Sequence, residues 1–558
     1  MRLTKCDTLE LVEFQENSIP GYAILSHRWQ NDELSCQELA TYNELNKRES
    51  SGSCHELRRI ERKDGFQKIR SFCEIVTRTA EYGEEYAWAD TCCIDKTSSA
   101  ELSEAINSMY RWYADAKKCL VYLFDVQSPI SPGPPTHEIK GINREYPGFT
   151  KSQWFKRGWT LQELIAPGCL MFYTLSWDLI GSKEDLVRPL ASITGIDASV
   201  LSRQSDPRSM SIAARMSWAS ARTTTRTEDL AYCLLGLFGV NMPMLYGEGT
   251  NAFTRLQEEI LKYSNDQSIF VWDMTAEFQS MLAPSPRAFA LCAGIKNIPT
   301  MTAEGDHAAY SLTNNGLRIA LPLLPWGIET CVAVLNCLDT RTKDSFSSQL
   351  ECIWLRRVSS TRQFVRMSYK GQSRTRWKEP LSYSNLATTS PFYILHRFAA
   401  QAIPRLRRNG LKVRPLKGSD TGYRLKSVEP SERWDSEAGY LVMPTTNFGM
   451  ICTLFFTDGN SSKHDFGVAL GFDDTSRYAI ALRKTGGRNK PSDWNATYAR
   501  LPVQAKMGLN GRYLITVCIV EAPFADEFRN PVVFIAIEDA NSHLKGPHLG
   551  YRRGAGGI

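Results

Sequence analysis

The feature that most constrains this chain is a pattern repeated along its first half: a short apolar run, a polar stop, then a helix-period segment. Tyr22-Ala-Ile-Leu25 runs into Ser26-His27, Tyr86-Ala-Trp-Ala89 into Asp90, and Cys119-Leu-Val-Tyr-Leu-Phe124 into Asp125. Between the first two runs, Phe66, Ile69, Cys73, Val76 and Ala80 recur at spacings of three and four; Leu102, Ile106, Met109 and Tyr113 do the same before the third. That spacing lines one face of a helix. A helix near Trp159–Leu164 then precedes the run Cys169-Leu-Met-Phe-Tyr173. Strand and helix in alternation predict crossover units and a parallel sheet.

The pattern changes twice downstream. From Ile212 to about Tyr263 the signal is helical: Glu228–Phe238 reads as one apolar helix ended by Gly239 and Pro243, and Glu248–Tyr263 as the next. After about Ser268 short strand-like runs take over, among them Leu317-Arg-Ile-Ala-Leu, Ile451-Cys-Thr-Leu-Phe-Phe456 and Val532-Val-Phe-Ile-Ala-Ile537. Turn sequences such as Asn314-Asn-Gly and Asp458-Gly-Asn separate them, which predicts a β-rich, sandwich-like or barrel domain. No fixed-period repeat points to a propeller or solenoid. The division expected is therefore α/β over 1–200, a helical extension over 201–290 and a β-rich domain over 291–558. Ser128–Pro135, with four prolines, reads as a loop, and Gly554-Ala-Gly-Gly as a loose tail.

Composition excludes classes without choosing a function. With 66 basic and 60 acidic residues in 558, the formal charge of +6 does not call for a nucleic-acid partner. The opening Met-Arg-Leu-Thr-Lys-Cys carries no uninterrupted apolar stretch, so no secretory signal is expected. The most apolar run, Leu230–Leu245, is short for a bilayer span and contains Asn241 and Pro243, so no transmembrane helix is expected. The 15 cysteines then read as free thiols in a reducing, cytoplasmic setting. Cys92-Cys93 belongs to no Cys-x-x-Cys, and no metal set accompanies it. Asn460-Ser-Ser and Asn495-Ala-Thr match the glycosylation sequon, which has no meaning without export. Two basic stretches, Arg356 to Lys378 and Arg405 to Lys417, are candidate surfaces for phosphate or anionic membrane. The alternative is outward arginines on strands.

Three segments, in order, resemble the fungal heterokaryon-incompatibility (HET) domain: Tyr22-Ala-Ile-Leu-Ser-His-Arg-Trp29, Tyr86-Ala-Trp-Ala-Asp-Thr-Cys-Cys-Ile-Asp-Lys96 with the helix after it, and Trp154-Phe-Lys-Arg-Gly-Trp-Thr-Leu-Gln-Glu163. Arg226-Thr-Glu-Asp-Leu-Ala-Tyr-Cys-Leu-Leu-Gly236, Met242-Pro-Met-Leu-Tyr-Gly-Glu-Gly249 and Phe253-Thr-Arg-Leu-Gln-Glu258 are similar to the helical extension that often follows it. The resemblance covers roughly residues 1–290. Ala89 stands where the family more often has isoleucine. Some relatives add a nucleotide-binding module and tryptophan-aspartate repeats; no Gly-x-x-x-x-Gly-Lys-Ser/Thr loop occurs here, which sets ATP-driven assembly aside. The resemblance implies a vegetative-incompatibility or cell-death effector, with protein partners or self-association.

HET domains are in turn similar, remotely, to Toll/interleukin-receptor (TIR) domains, several of which cleave NAD with a glutamate. By that resemblance Glu163, in Trp159-Thr-Leu-Gln-Glu163, is the candidate catalytic residue, and NAD the candidate substrate rather than a cofactor. In a parallel sheet, ligands bind beyond the carboxyl ends of the strands. Ser26, His27, Asp90 and Asp125 are expected there, with Trp29 or Trp159 to stack on a ring. No metal is expected. Against this stand plainer roles: Glu163 as an ion-pair partner of Arg157, His27 as a structural histidine, Asp95 as a cap, Glu228-Asp229 with Arg222 and Arg226 as a charge cluster. Adjacent strand residues point to opposite faces, so Ser26 and His27 are not a nucleophile–base pair. A non-catalytic signalling module that recruits partners is the other class left open.

Overall fold

A computed structural model describes residues 1–47, 55–78, 84–129, 139–274, 278–298, 310–325, 330–341, 349–358, 363–368, 372–377, 391–395, 410–413, 423–429, 431, 434–436, 440–442, 449–459, 465–472, 478–484, 504–509, 513–520 and 532–539. Two compact units divide the chain: Met1–Leu317 with Leu335–Glu351 and Lys370–Lys378, and Arg318–Val334 with Cys352–Tyr369 and Glu379–Ile558. The first unit therefore runs past residue 290, where the change of pattern placed a boundary.

A seven-stranded mixed sheet organises the first unit. Its strands are β1 (Arg2–Lys5), β2 (Leu11–Glu13), β3 (Tyr22–His27), β4 (Tyr86–Trp88), β5 (Lys118–Tyr122), β6 (Leu170–Tyr173) and β7 (Leu179–Ser182), in the order β2-β1-β4-β3-β5-β6-β7. The four strands expected from the apolar runs form a parallel centre, with Ile24 opposite Trp88 and His27 opposite Tyr122. All six residues of β3 are buried, which is why it reads as an unbroken apolar run rather than an alternation. The edge strands β1, β2 and β7 are antiparallel additions. They were not anticipated: three or four residues of mixed polarity carry no period of their own.

Helices α1 (Cys36–Lys47), α2 (His55–Glu61), α3 (Asp64–Arg78), α4 (Ser99–Asp115), α5 (Ile139–Glu145) and α6 (Thr160–Ile165) connect and cover the strands. Phe66, Ile69, Cys73 and Val76 of the expected face of α3 are buried, with Phe72 beside them; Ala80 lies outside the described residues. Ser98, not Asp95, caps α4, its hydroxyl accepting from the Glu101 N–H at 3.3 Å. Asp95 instead closes the preceding turn on the Thr97 N–H at 2.9 Å. Further on come α7 (Val187–Thr194), α8 (Ala198–Leu201), α9 (Ile212–Ala219), α10 (Asp229–Tyr232), α11 (Leu235–Phe238) and α12 (Asn251–Tyr263). The single helix expected over Glu228–Phe238 is thus two, with a break at Cys233–Leu234. Gly236 of α11 lies so close to α4 that a Cβ there would stand 2.0 Å from Tyr110 Cβ. Tertiary packing against α4 outranks the local helix signal here, and left-handed Gly239 ends α11 as expected.

In the second unit the strands Trp434–Asp435, Tyr440–Val442, Gly410–Val413, Val532–Asp539, Tyr513–Val520 and Gln504–Leu509 form one sheet in that order. Arg424–Glu429, Gly449–Thr457, Phe466–Phe472 and Tyr478–Lys484 form another. One apolar cluster draws on both: Leu454, Phe456, Val468 and Ile480 from the second, Ile515, Val517, Val533, Ile535 and Ile537 from the first. The one-in-two spacing of those last five is the strand period that the sequence displayed.

No helix among the described residues is long and apolar enough to cross a membrane. Nor do three potential metal ligands gather anywhere among them. The cysteines they include are free, Cys92 and Cys93 both buried. Three described arginines of the first basic stretch are buried or paired. Arg366 is fully buried, Arg374 pairs with Asp273 at 2.9 Å and with Glu351 at 3.2 Å, and Arg376 pairs with Glu351 at 2.9 Å and Asp339 at 3.1 Å. Arg362, Lys370, Lys378, Arg405, Arg407, Arg408, Arg414 and Lys417 lie outside the described residues. So do Asn460, Asn495, the proline-rich positions from Ile130 to Pro135 and the Gly554 tail.

Candidate functional site

The parallel strands end beside a cleft of about 410 Å³ bordered by His27, Trp29, Asp90, Lys96, Arg157, Trp159, Glu163, Arg226, Asp229 and Tyr246, among others. Glu163 lines it from α6. All six residues of α6 are buried, and Glu163 is 6% exposed. Ser26, on β3, donates its hydroxyl to Glu163 Oε2 at 2.5 Å and accepts from the Trp154 indole N–H at 2.9 Å. Burial pushes the Glu163 carboxyl up to about 8, with the charge of Asp90 adding to the shift; the Ser26 hydrogen bond, Arg157 and Arg222 oppose it. Near neutral pH, then, Glu163 is mainly the neutral acid.

Two buried cations clamp the helix that carries it. At its start, Arg222 Nη1 donates to the Arg157 carbonyl at 2.8 Å and to Thr160 Oγ1 at 2.9 Å. At its end, Lys183 Nζ donates to the carbonyls of Leu164 at 3.3 Å and Pro167 at 2.7 Å. Burial pulls Arg222 down to about 10 and Lys183 down to about 8. The placement of Lys183 suits a helix C-terminus, whose last carbonyls lack partners. Neither Lys183 nor the role of Arg222 was legible beforehand. Lys183 stands between Ser182 and Glu184, and Arg222 before three threonines, so no local pattern marked either as buried.

His27 is buried and its ring nitrogens have no hydrogen-bond partner; Nε2 stands 3.7 Å from Glu33 and 4.0 Å from Asp90. Burial, reinforced by Lys68, Lys96 and Arg157, holds its pKa well below the usual value, so the imidazole is neutral. Glu33 is already bonded to Lys68 at 2.6 Å. Trp29 is 37% exposed and gives its indole N–H to Asp90 at 2.8 Å. Its ring carries Lys96 Nζ at 3.5 Å and the Arg157 guanidinium at 5.5 Å, so part of the surface proposed for stacking is taken by cations. Trp159 lies beside Asp229, a hydrogen-bond partner that also accepts from the Tyr246 hydroxyl at 3.1 Å.

Of the residues singled out from the sequence, the structure brings together Ser26, His27, Trp29, Asp90, Trp159 and Glu163. Asp125 does not border the cleft. Its carboxylate accepts from the Ser152 hydroxyl and the Gln153 N–H, both at 2.7 Å, and so orders the turn entering Gln153–Lys156. No ion pair joins Glu163 to Arg157. The expected charge cluster is also resolved differently: Glu228 accepts from the N–H groups of Gly247 at 2.8 Å and Gly249 at 3.0 Å, while Arg222 is committed to α6. Trp154 and Tyr113 are core residues, yet Trp154 also orients Ser26, and Tyr113 donates to the Leu25 carbonyl at 3.0 Å.

Because Ser26 sits between Trp154 and Glu163, Ser26→Ala leaves a buried indole N–H without its acceptor. The expected loss is about 1–3 kcal/mol, read as a shift in the denaturant midpoint. A loss below about 0.5 kcal/mol would show that water or a neighbour replaces the hydroxyl.

Comparison with known proteins places these features in context. Residues 22–133 match the model of the heterokaryon incompatibility protein (HET) family, a span that includes Ser26, His27, Trp29, Asp90 and Asp125 and stops before Glu163. Residues 251–278 match a domain of unknown function (DUF8212). Over 251 residues the chain is 42% identical to vegetative incompatibility protein HET-E-1 of Podospora anserina, a match covering 45% of this chain and 17% of that protein. No solved structure matches the chain.

Proposed function

We propose that this chain, a HET-domain protein, is a vegetative-incompatibility and cell-death effector that acts in the cytoplasm by cleaving the nicotinamide–ribose bond of NAD in a TIR-like crevice. The observation that carries the reading is the buried Glu163 carboxyl, fixed by Ser26 at the wall of an open cleft where the parallel strands end. The likeness to an incompatibility protein supports the biological role. The parallel centre β4-β3-β5-β6 supports the crevice.

In such a reaction the glycosidic C–N bond breaks, its electron pair leaving with nicotinamide. The ribose carbon gains oxocarbenium character, and water then forms the new C–O bond and releases a proton. A carboxylate beside the ribose stabilises the developing positive charge and can hold ribose hydroxyls. Glu163 must be ionised for this role, whereas burial pushes its carboxyl up to about 8. Turnover in the free-enzyme regime is therefore expected to rise roughly tenfold per pH unit below that value and to level off above it.

The test is nicotinamide release by the purified full chain over a range of protein concentrations, because assembly can be a requirement. Turnover that follows this pH profile supports the reading. Turnover that is flat from pH 6 to 9 removes Glu163 ionisation from the mechanism. A chain that elicits cell death without consuming NAD is instead a non-catalytic module that recruits protein partners.

A further inference from the structure

Four cations border or adjoin the cleft, and none has a carboxylate within ion-pair distance among the described residues. Lys96 and Arg157 lie over the Trp29 ring at 3.5 and 5.5 Å, Arg226 over Tyr246 at 4.3 Å, and Arg28 over Phe124 at 6.0 Å. The carboxyl groups of the same cleft accept from neutral donors, Asp90 from the Trp29 indole, Asp229 from the Tyr246 hydroxyl and Glu163 from Ser26; Asp90 still acts on Lys96, and Asp229 on Arg226 and Arg157, but the four cations outnumber the three carboxyl groups. Elsewhere in this unit arginines are neutralised by direct pairs, as Arg374 and Arg376 are by Asp273, Glu351 and Asp339. Aromatic faces hold the cleft cations in place without cancelling their charge, since a ring quadrupole attracts a cation weakly and leaves it able to bind an anion. A cleft in which cations outnumber carboxyl groups and no direct ion pair forms keeps a net positive charge that a multivalent anion relieves.

We propose that Lys96, Arg157 and Arg226 form a phosphate-binding side of this cleft, so that its ligand is a phosphate-bearing nucleotide, with the diphosphate bridge of a dinucleotide as the best match to three cations. This rests on the cleft assigned above but not on its chemistry. The guanidinium groups suit phosphate because their planar N–H donors meet two oxygens at once, and Lys96 adds a mobile point charge. His27 also borders the cleft, buried and with both ring nitrogens unpartnered. The cleft also contains Glu163, so one cavity presents cations for phosphate and a carboxyl for the glycosyl end.

The experiment is titration of the full chain with ADP-ribose, inorganic pyrophosphate and adenosine by calorimetry, at several salt concentrations. ADP-ribose is expected to bind, with affinity falling as salt rises. Arg226→Gln and Lys96→Met are each expected to weaken it about tenfold or more, as loss of a charge-assisted contact does. Both side chains are exposed, so these variants are expected to fold; Arg157→Gln is the harsher third variant, checked by its melting curve. Pyrophosphate binding comparably to ADP-ribose identifies the diphosphate as the recognised group. Pyrophosphate without ADP-ribose limits the site to a free anion and overturns the nucleotide assignment. Equal affinity of ADP-ribose for native chain and both variants, or no binding of either anion, overturns the proposal. If ADP-ribose binds through these cations and NAD is never cleaved, this inference stands and the hydrolase reading falls. If NAD is cleaved with KM unchanged in the variants, the reverse holds.

Discussion

Glu163→Gln is expected to lose NAD turnover by at least about a hundredfold and, at pH 9, to be more stable than the native chain. The second effect follows from linkage. The carboxyl titrates near 4.5 when unfolded and near 8 when folded. Below the lower value both states hold the proton, and the group imposes no penalty. Between the two values the unfolded chain releases its proton while the folded chain keeps it, so stability falls as pH rises; above about 8 the loss is complete. The gap corresponds to at most about 5 kcal/mol. Glutamine forgoes part of the Ser26 interaction, so the net gain expected at pH 9 is about 1–3 kcal/mol, shrinking to nothing or reversing near pH 4. Unfolding of both proteins in denaturant at pH 4, 7 and 9 checks it. Parallel curves at all three would mean that Glu163 ionises freely in the fold, against its burial. A gain in stability with a loss of activity is the signature of a group kept for chemistry at a structural cost.

Gly65→Ala is expected to destabilise the first unit by about 2–4 kcal/mol. A Cβ at this position would lie 2.4 Å from Leu34 N, 2.6 Å from Asp32 O and 2.7 Å from the Glu33 carbonyl carbon. All three are backbone atoms, so no rotamer change relieves the contact. The Gly65 N–H also donates to the Asp32 carbonyl at 2.9 Å, which ties the start of α3 to the same turn. Pushing the turn away carries Glu33 with it, and with Glu33 the partner of Lys68 and a close neighbour of His27. Gly508→Ala, at a position with no atom within 4 Å of the added carbon, is the control and is expected to change little. A midpoint shift in Gly65→Ala no larger than the control's would show that the turn yields easily.

The two effects differ in how visible they were. Nothing in Asp64-Gly65-Phe66 announces a forbidden methyl group, because the obstacle is backbone from Asp32–Leu34. Glu163 was visible as a candidate through its resemblance to a glutamate motif, but not as a buried acid with a displaced pKa. Asp125 read as a cleft residue because it follows a strand, and the structure spends it on Ser152 and Gln153. The arginines at 374 and 376 read as part of a basic surface, and Glu351, Asp339 and Asp273 neutralise them.

What the sequence determined by itself is local and periodic. The apolar runs at 22–25, 86–89, 119–124 and 169–173 became the parallel centre of the sheet, the spacing from Phe66 to Val76 became the buried face of α3, and Gly239 ended its helix. Tertiary structure decided the rest: the antiparallel edges β1, β2 and β7, the break at Cys233–Leu234, the two cations that clamp α6, and the state of Glu163. Period and turn chemistry act over a few residues and are written in them. A carboxyl's ionisation depends on what surrounds it in space, and the hydroxyl that holds Glu163 belongs to Ser26, 137 positions away.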